Sequence, residues 1–425
     1  MIVTKNKTTN VDMSILTTYQ NLRQATLALC ESLDIEDYGL QAMPDVSPPK
    51  WHLAHTSWFF ETFILKPFDK EYRPLHPVYE YMFNSYYHGV GDQYPRAQRG
   101  LLSRPTLPEI LEYRAHVDEA MIRLLAHENH EARDTILQRC VLGVQHEQQH
   151  QELMCTDIKY NFSFNPLHPA LGKIPGAAQK ATLLPLTYRE FDASDARMGY
   201  EGGGFHFDNE SPIHTFHLPA FRFANRLITN AEFREFMQAD GYNEPGLWLS
   251  DGWVWKQANH AKHPYYWVQQ DDDWFEYTLY GRCPLDPDQP VSHVNYYEAD
   301  AYARWCGKRL PSEQEWEAVC QQLLLEPAHS PVTLHPCVVV DDGVDIVQMF
   351  GSLWQWTRSA YSAYPGYRPA EGAIGEYNGK FMCNQMVLRG SSCVTPPGHA
   401  RASYRNFFYP KDQWQFTGIR LADDP

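Results

Sequence analysis

Between Ala132 and Tyr160 the chain carries no proline and a single glycine. Ile136, Cys140, Val144, Leu153 and Ile158 trace a partly apolar stripe there, which predicts one long helix. Inside it lies Val144-Gln145-His146-Glu147-Gln148-Gln149-His150-Gln151-Glu152. Two histidines four apart share a helix face, because a turn takes about 3.6 residues. Both imidazoles can then reach one metal ion, with Glu147 and Gln149 close to it. The plain alternative is a solvated polar face. A second histidine-rich segment upstream favours the metal.

That segment is Lys50-Trp51-His52-Leu53-Ala54-His55-Thr56-Ser57-Trp58-Phe59-Phe60-Glu61, and Pro48-Pro49 before it signals a helix start. His52 and His55 are neighbours on that helix, with Trp51, Trp58 and Phe59 on or beside the His55 face. Helical spacing also marks residues 11–33 and 107–127. Four long helices in roughly 165 residues predict a bundle, which places metal sites between facing helices. Between the second and third helices runs a long loop with Tyr86-Tyr87 and with Arg96 and Arg99. Packed tyrosines and solvated arginines would account for it. Beside a metal, the same residues would make a proton donor and a carboxylate clamp.

After Asn165-Pro166-Leu167-His168-Pro169 the pattern changes. Gly172–Lys180 reads as a polar linker, and from Leu184 onward come short strands and turns, with helices predicted at 230–237 and 296–306. Two domains follow, 1–175 and 185–425. The net charge of −16 disfavours nucleic acid or an anionic membrane as partner. Nine scattered cysteines form no CxxC pair, and no apolar run has signal-peptide or membrane-spanning length. Free thiols and a cytoplasmic location are the expectation.

The second half holds separated motifs in a fixed order: Asp208-Asn209-Glu210-Ser211-Pro212; Pro290-Val291-Ser292-His293-Val294 leading to Gly307-Lys308-Arg309-Leu310-Pro311-Ser312-Glu313; Gly351-Ser352-Leu353-Trp354-Gln355-Trp356-Thr357; Leu388-Arg389-Gly390-Ser391-Ser392; and Gly418-Ile419-Arg420-Leu421-Ala422. Their order resembles the formylglycine-generating-enzyme (sulfatase-modifying) domain, a C-type-lectin-like fold. Formylglycine generators carry a thiol pair just after the fourth motif. Here Cys393 is present but Gly398 stands where the second thiol would fall, so that chemistry is not expected. Ser352 and Gln355 likewise weaken any inherited calcium site.

The first half resembles a DinB-type bundle. The pairing resembles the sulfoxide synthases of ergothioneine biosynthesis (EgtB-type), an α+β architecture of DinB-like four-helix bundle followed by a C-type-lectin-like domain. The resemblance implies non-haem Fe(II) held by His55, His146 and His150, with His52 left as a polar neighbour. Three neutral imidazoles leave Fe(II) with a net positive charge and three open positions, enough for a thiolate, an imidazole and O2. By position, Gln149 and Asn406 match residues that contact the histidine betaine. Phe407 stands where an aromatic face meets the trimethylammonium group. Arg96 and Arg99 match a pair that binds a carboxylate of the thiol substrate, and Tyr86 and Tyr87 match catalytic tyrosines. One of the two is expected to supply a proton or hydrogen atom. Phe408 replaces the acidic residue of the branch that uses γ-glutamylcysteine, which points to free cysteine.

The implied reaction is O2-dependent joining of cysteine to imidazole C2 of hercynine (Nα-trimethylhistidine), giving hercynylcysteine sulfoxide. The implied partners are these small molecules, with neither nucleic acid nor membrane. Within the family, γ-glutamylcysteine, histidine or a selenosugar are the alternative substrates. Outside it, His146-Glu147-x-x-His150 is also the zincin pattern, with Glu147 as general base. No His-x-x-Gly-x-x-His extension follows, and no Glu lies between residues 153 and 189 to complete that site. A thiol transferase leaves the second domain unexplained. A lectin-like binding module leaves intact histidines and tyrosines unexplained.

Overall fold

The computed structural model describes residues 6–174, 183–327, 332–339 and 343–425, with side chains from residue 15 onward. The chain divides into two compact units. One runs to Asn161 and takes in Ala370–Tyr377; the other comprises Phe162–Pro369 and Asn378–Pro425. The expected linker at Gly172–Lys180 lies, from residue 175, outside the described residues.

The first unit is built on four helices: α1 (Asn6–Ala28), α2 (Pro49–Phe60), α3 (Leu107–Ala126) and α4 (Arg133–Phe162). Proline at the first position of α2 carries no amide hydrogen to leave unsatisfied. Helix α3 starts on a capping box in which Thr106 and Glu109 satisfy each other's backbone. Its buried residues Ile110, Tyr113, Arg114, Val117, Ala120, Met121 and Leu124 follow the three-and-four spacing of one helix face. Helix α2 is enclosed nearly all round: from Trp51 to Phe60 every residue is buried, the polar His52, His55, Thr56 and Ser57 included. It continues into a π-helical turn, Glu61–Leu65, where the Glu61 carboxylate accepts from the Tyr72 and Tyr113 hydroxyls. The wider turn there re-aims the chain directly after α2.

The second unit is sheet-rich. Its four-stranded sheet runs, in spatial order, Asn406–Phe408, Met386–Gly390, Trp354–Ala360 and Thr417–Gly418, antiparallel except for the last pair. A core of Phe191, Leu218, Phe221, Phe223, Trp316 and Val319 packs beneath strands and the helix Glu313–Leu323. Helices also occur at Asn230–Gln238 and Tyr296–Trp305, both predicted, and at Ser250–Asn259. The sequence motifs of this half serve the core. Arg389 is fully buried and donates to Glu313 and Glu317. A Cβ at Gly390, whose φ is +99°, would lie 2.5 Å from the Met349 carbonyl oxygen, so only glycine fits. The Gln355 side-chain oxygen accepts from Trp316 and Arg420 and its amide donates to two carbonyls. That leaves it no capacity for a cation.

Candidate metal centre

The first unit brings His55, His146 and His150 together. One nitrogen from each lies within 4.8 Å of the others, and all three residues are buried. His146 and His150 come from successive turns of α4, and His55 faces them from α2. His55 Nε2 and His146 Nε2 are 3.2 Å apart, the spacing two imidazoles take around a single ion with bonds of about 2.1 Å.

The hydrogen bond behind the His55 ring defines which of its nitrogens carries the proton. His55 Nδ1 lies 2.6 Å from the Phe83 carbonyl oxygen, which can only accept, so Nδ1 is protonated and Nε2 offers its lone pair inward. Burial, with the neighbouring His146 second, holds the His55 pKa well below its ordinary value. Burial likewise lowers His150, with His146 and His55 adding to it, and pulls His146 down to about 3. Three buried, neutral rings that each bring one nitrogen to a common point suit a divalent cation. Among the described residues this is the one cluster of its kind.

Aromatic rings fix the ligands. His55 stacks on Trp51 at 4.5 Å and on Trp58 at 5.4 Å, and His146 stacks on Phe59 at 4.2 Å. Glu147 does not join the cluster, contrary to the proximity expected of it. One residue on from His146, it points across the bundle, where its carboxylate accepts from Arg23, Arg114 and Thr26. Despite full burial, those cations hold its pKa down at about 2. A carboxylate locked between two guanidinium groups is no general base, and the zincin reading fails on this point.

The loop residues divide by depth. Tyr87 is fully buried among Trp58, Phe59 and Phe63, and burial, reinforced by Tyr86 and Tyr377, raises its pKa well above the phenol range. Tyr86 is half-buried, stacked on Tyr87 with the two hydroxyls 3.5 Å apart. Arg99 is buried, its guanidinium 3.4 Å from the centre of the Trp51 ring and hydrogen-bonded to Ser47 Oγ at 2.9 Å. Among the described residues no carboxylate pairs with it, and its Nε has no partner. Burial, with Arg96 beside it, makes the charged form costly. Arg96 is exposed and donates to the Asp45 carbonyl. The two arginines therefore do not form a symmetrical clamp.

Gln149 accepts a hydrogen bond from Tyr377, whose ring lies 5.8 Å from that of His146. Tyr377 belongs to Ala370–Tyr377, the segment from late in the sequence that packs into the first unit. Glu376 of the same segment accepts from the backbone of His88 and Gly89. Sequence reasoning missed Tyr377. Gly375-Glu376-Tyr377-Asn378-Gly379 reads only as a turn, and no periodicity ties it to a helix far upstream.

In the second unit, Asn406 Oδ1 is taken by the backbone N–H of Phe407. Phe407 stacks on Tyr361 at 4.1 Å and lies 5.9 Å from Phe381, so the face covered by Tyr361 is closed to a ligand. Phe408 is half-buried at the end of the same strand. Cys393 is buried, one of nine free cysteines, and Gly398 adopts φ +80°, a glycine conformation that suits the turn and no thiol. No described helix is long and apolar enough to cross a membrane.

Fold and site together define a metalloenzyme in which a histidine-lined bundle and a sulfatase-modifying-type domain share one chain. The DinB superfamily matches residues 18–154, and the Sulfatase-modifying factor enzyme 1-like domain matches 191–323 and 327–425. Curated relatives include a "Hercynine oxygenase" of Mycolicibacterium thermoresistibile, 30% identical over 95% of this chain and 93% of its own. Another, of Mycolicibacterium smegmatis, is 29% identical over 95% and 96%, and a third, of Mycobacterium tuberculosis, is 29% identical over 95% and 98%. The chain belongs to the hercynine oxygenase family.

Proposed function

We propose that this protein is a non-haem Fe(II), O2-dependent sulfoxide synthase that joins cysteine to imidazole C2 of hercynine in ergothioneine biosynthesis. The observation that carries the reading is the buried centre of three neutral histidines, in a chain similar end to end to hercynine oxygenases. Neutral nitrogen donors suit Fe(II) and leave positions for substrates. When bound, the iron supplies the redox chemistry that lets O2 react with the two organic substrates. The reaction balances without another reductant. The imidazole C2–H and the thiol S–H bonds break and the C–S and S–O bonds form. One atom of O2 enters the sulfoxide and the other leaves as water.

The chain's own residues hold the substrates and move protons. His55, His146 and His150 bind the metal. Arg99 receives the cysteine carboxylate: a buried guanidinium without a counter-ion gains most from a charged acceptor. Arg96, at the exposed end, adds long-range attraction. Gln149, whose carbonyl oxygen accepts from Tyr377, is the residue that contacts the hercynine imidazole. Tyr87 keeps its proton through burial, and Tyr86 connects it toward solvent, which suits proton delivery to the reacting oxygen. By family position Asn406 and Phe407 are assigned the betaine end, and Phe408 supplies no acid for a γ-glutamyl ammonium. His146→Ala tests the reading: the variant should fold, hold little iron and lack turnover. An iron-replete, active His146→Ala protein would overturn it.

A further inference from the structure

His52 and Asp157 lie behind the metal centre and have no part in the reading so far. His52 Nε2 is 3.0 Å from Asp157 Oδ2, and His52 Nδ1 is 2.9 Å from His150 Nδ1. All three side chains are buried. The same Asp157 oxygen accepts the backbone N–H of Ser47 at 2.8 Å, and Ser47 Oγ accepts from Arg99.

With a neutral imidazole at His52, proton accounting along this chain has one solution. A carboxylate only accepts, so His52 carries its proton on Nε2 and donates to Asp157. His52 Nδ1 is then a bare lone pair and must accept, so His150 carries its proton on Nδ1. His150 Nε2 is thereby left unprotonated, and it is the nitrogen free to meet a metal. Without the chain, His150 could take either tautomer, and the wrong one would aim an N–H at the ion.

We infer that Asp157 and His52 are positioning residues that lock His150 in its metal-binding tautomer, with Asp157 also anchoring Ser47 and so the carboxylate-binding Arg99. The inference rests on the three-histidine metal reading. Sequence spacing cannot show it, because the i,i+3 placement of His52 and His55 suits two ligands equally well. The ring nitrogens of His52 are both committed, so His52 is not a ligand.

The test is Co(II) affinity of the full-length protein by chelator competition, with no substrate present. His52→Leu and Asp157→Ala should each raise the Co(II) Kd roughly 10- to 100-fold, the usual cost of losing an outer hydrogen bond to a ligand. His52→Asn should restore affinity to within about 5-fold of wild type, since its amide oxygen occupies the Nδ1 position and can accept from His150. Because that amide needs no help from Asp157, adding Asp157→Ala to His52→Asn should cost little more. Packing alone would not produce this pattern. Wild-type affinity in folded His52→Leu or Asp157→Ala overturns the inference, as does equal loss in His52→Leu and His52→Asn. If His52→Leu does not fold, Asp157→Ala and the double variant carry the same decision. A wild-type protein that binds no Co(II) would instead refute the metal reading itself.

Discussion

Glu147 and Arg99 are both buried ionisable groups within a few residues of the centre, yet they have opposite roles. Glu147 has three donors and an ionised carboxylate that stays ionised. Removing its charge should cost stability: Glu147→Gln takes the counter-ion from the buried Arg114, while Arg23 keeps Asp118, a loss of about 3–5 kcal/mol. Chemical denaturation measures this, and in folded variant protein turnover should persist. Normal stability with abolished turnover would return Glu147 to a catalytic role. Arg99 is the reverse case, a buried guanidinium that no carboxylate among the described residues hydrogen-bonds, with Asp157 its nearest electrostatic support. Arg99→Leu should raise the KM for cysteine roughly 10- to 100-fold while the KM for hercynine stays near wild type, since a hydrogen bond to a charged group contributes about 1.5–3 kcal/mol. Steady-state kinetics with each substrate varied in turn makes the comparison. Equal rises for both substrates would mean that Arg99 acts through Trp51 and His55 rather than on the thiol.

At the scale of elements, the helix Tyr296–Trp305 gives a pH-dependent prediction. Its capping residue Glu298 accepts from Tyr242, Asn295 and Gln413, all of which favour the ionised form, but full burial wins and raises its pKa to about 7. A carboxyl whose folded pKa lies above its unfolded value stabilises the fold below the unfolded value. That contribution is lost as pH rises from about 4.5 to about 7. Over this window Glu298 should subtract about 3 kcal/mol, at 1.36 kcal/mol per unit. Glu298→Gln should therefore flatten the stability profile between pH 5 and 8. An unchanged slope would place the titration elsewhere.

The bundle helices were legible because each carries its own signal: proline at the start of α2, an unbroken run in α4, helical spacing in α3. His55, His146 and His150 could be paired from those signals together with the family resemblance. Other features had no local signal. The packing of Ala370–Tyr377 with the first unit joins residues far apart in sequence. The Asp157–His52–His150 chain depends on which nitrogen faces which, a matter of side-chain rotation. The stacking of Tyr361 on Phe407 depends on sheet register. The helices Ser250–Asn259 and Glu313–Leu323 were also not predicted. The first has an ordinary polar sequence, and the second followed a motif read for its order instead of its periodicity.

At the scale of the molecule, the bundle supplies a cation-competent centre, and the sulfatase-modifying-type domain keeps its family's core motifs while Cys393 stands without the second thiol. The proposed function is the coupling of cysteine to hercynine at that centre. The most direct measurement is O2 uptake by anaerobically purified, Fe(II)-loaded protein given hercynine with cysteine, γ-glutamylcysteine or a selenosugar, with products identified by mass. Uptake should require hercynine and cysteine together and yield the sulfoxide. Uptake with γ-glutamylcysteine alone would contradict the reading of Phe408, and no uptake with any pair would contradict the claim itself.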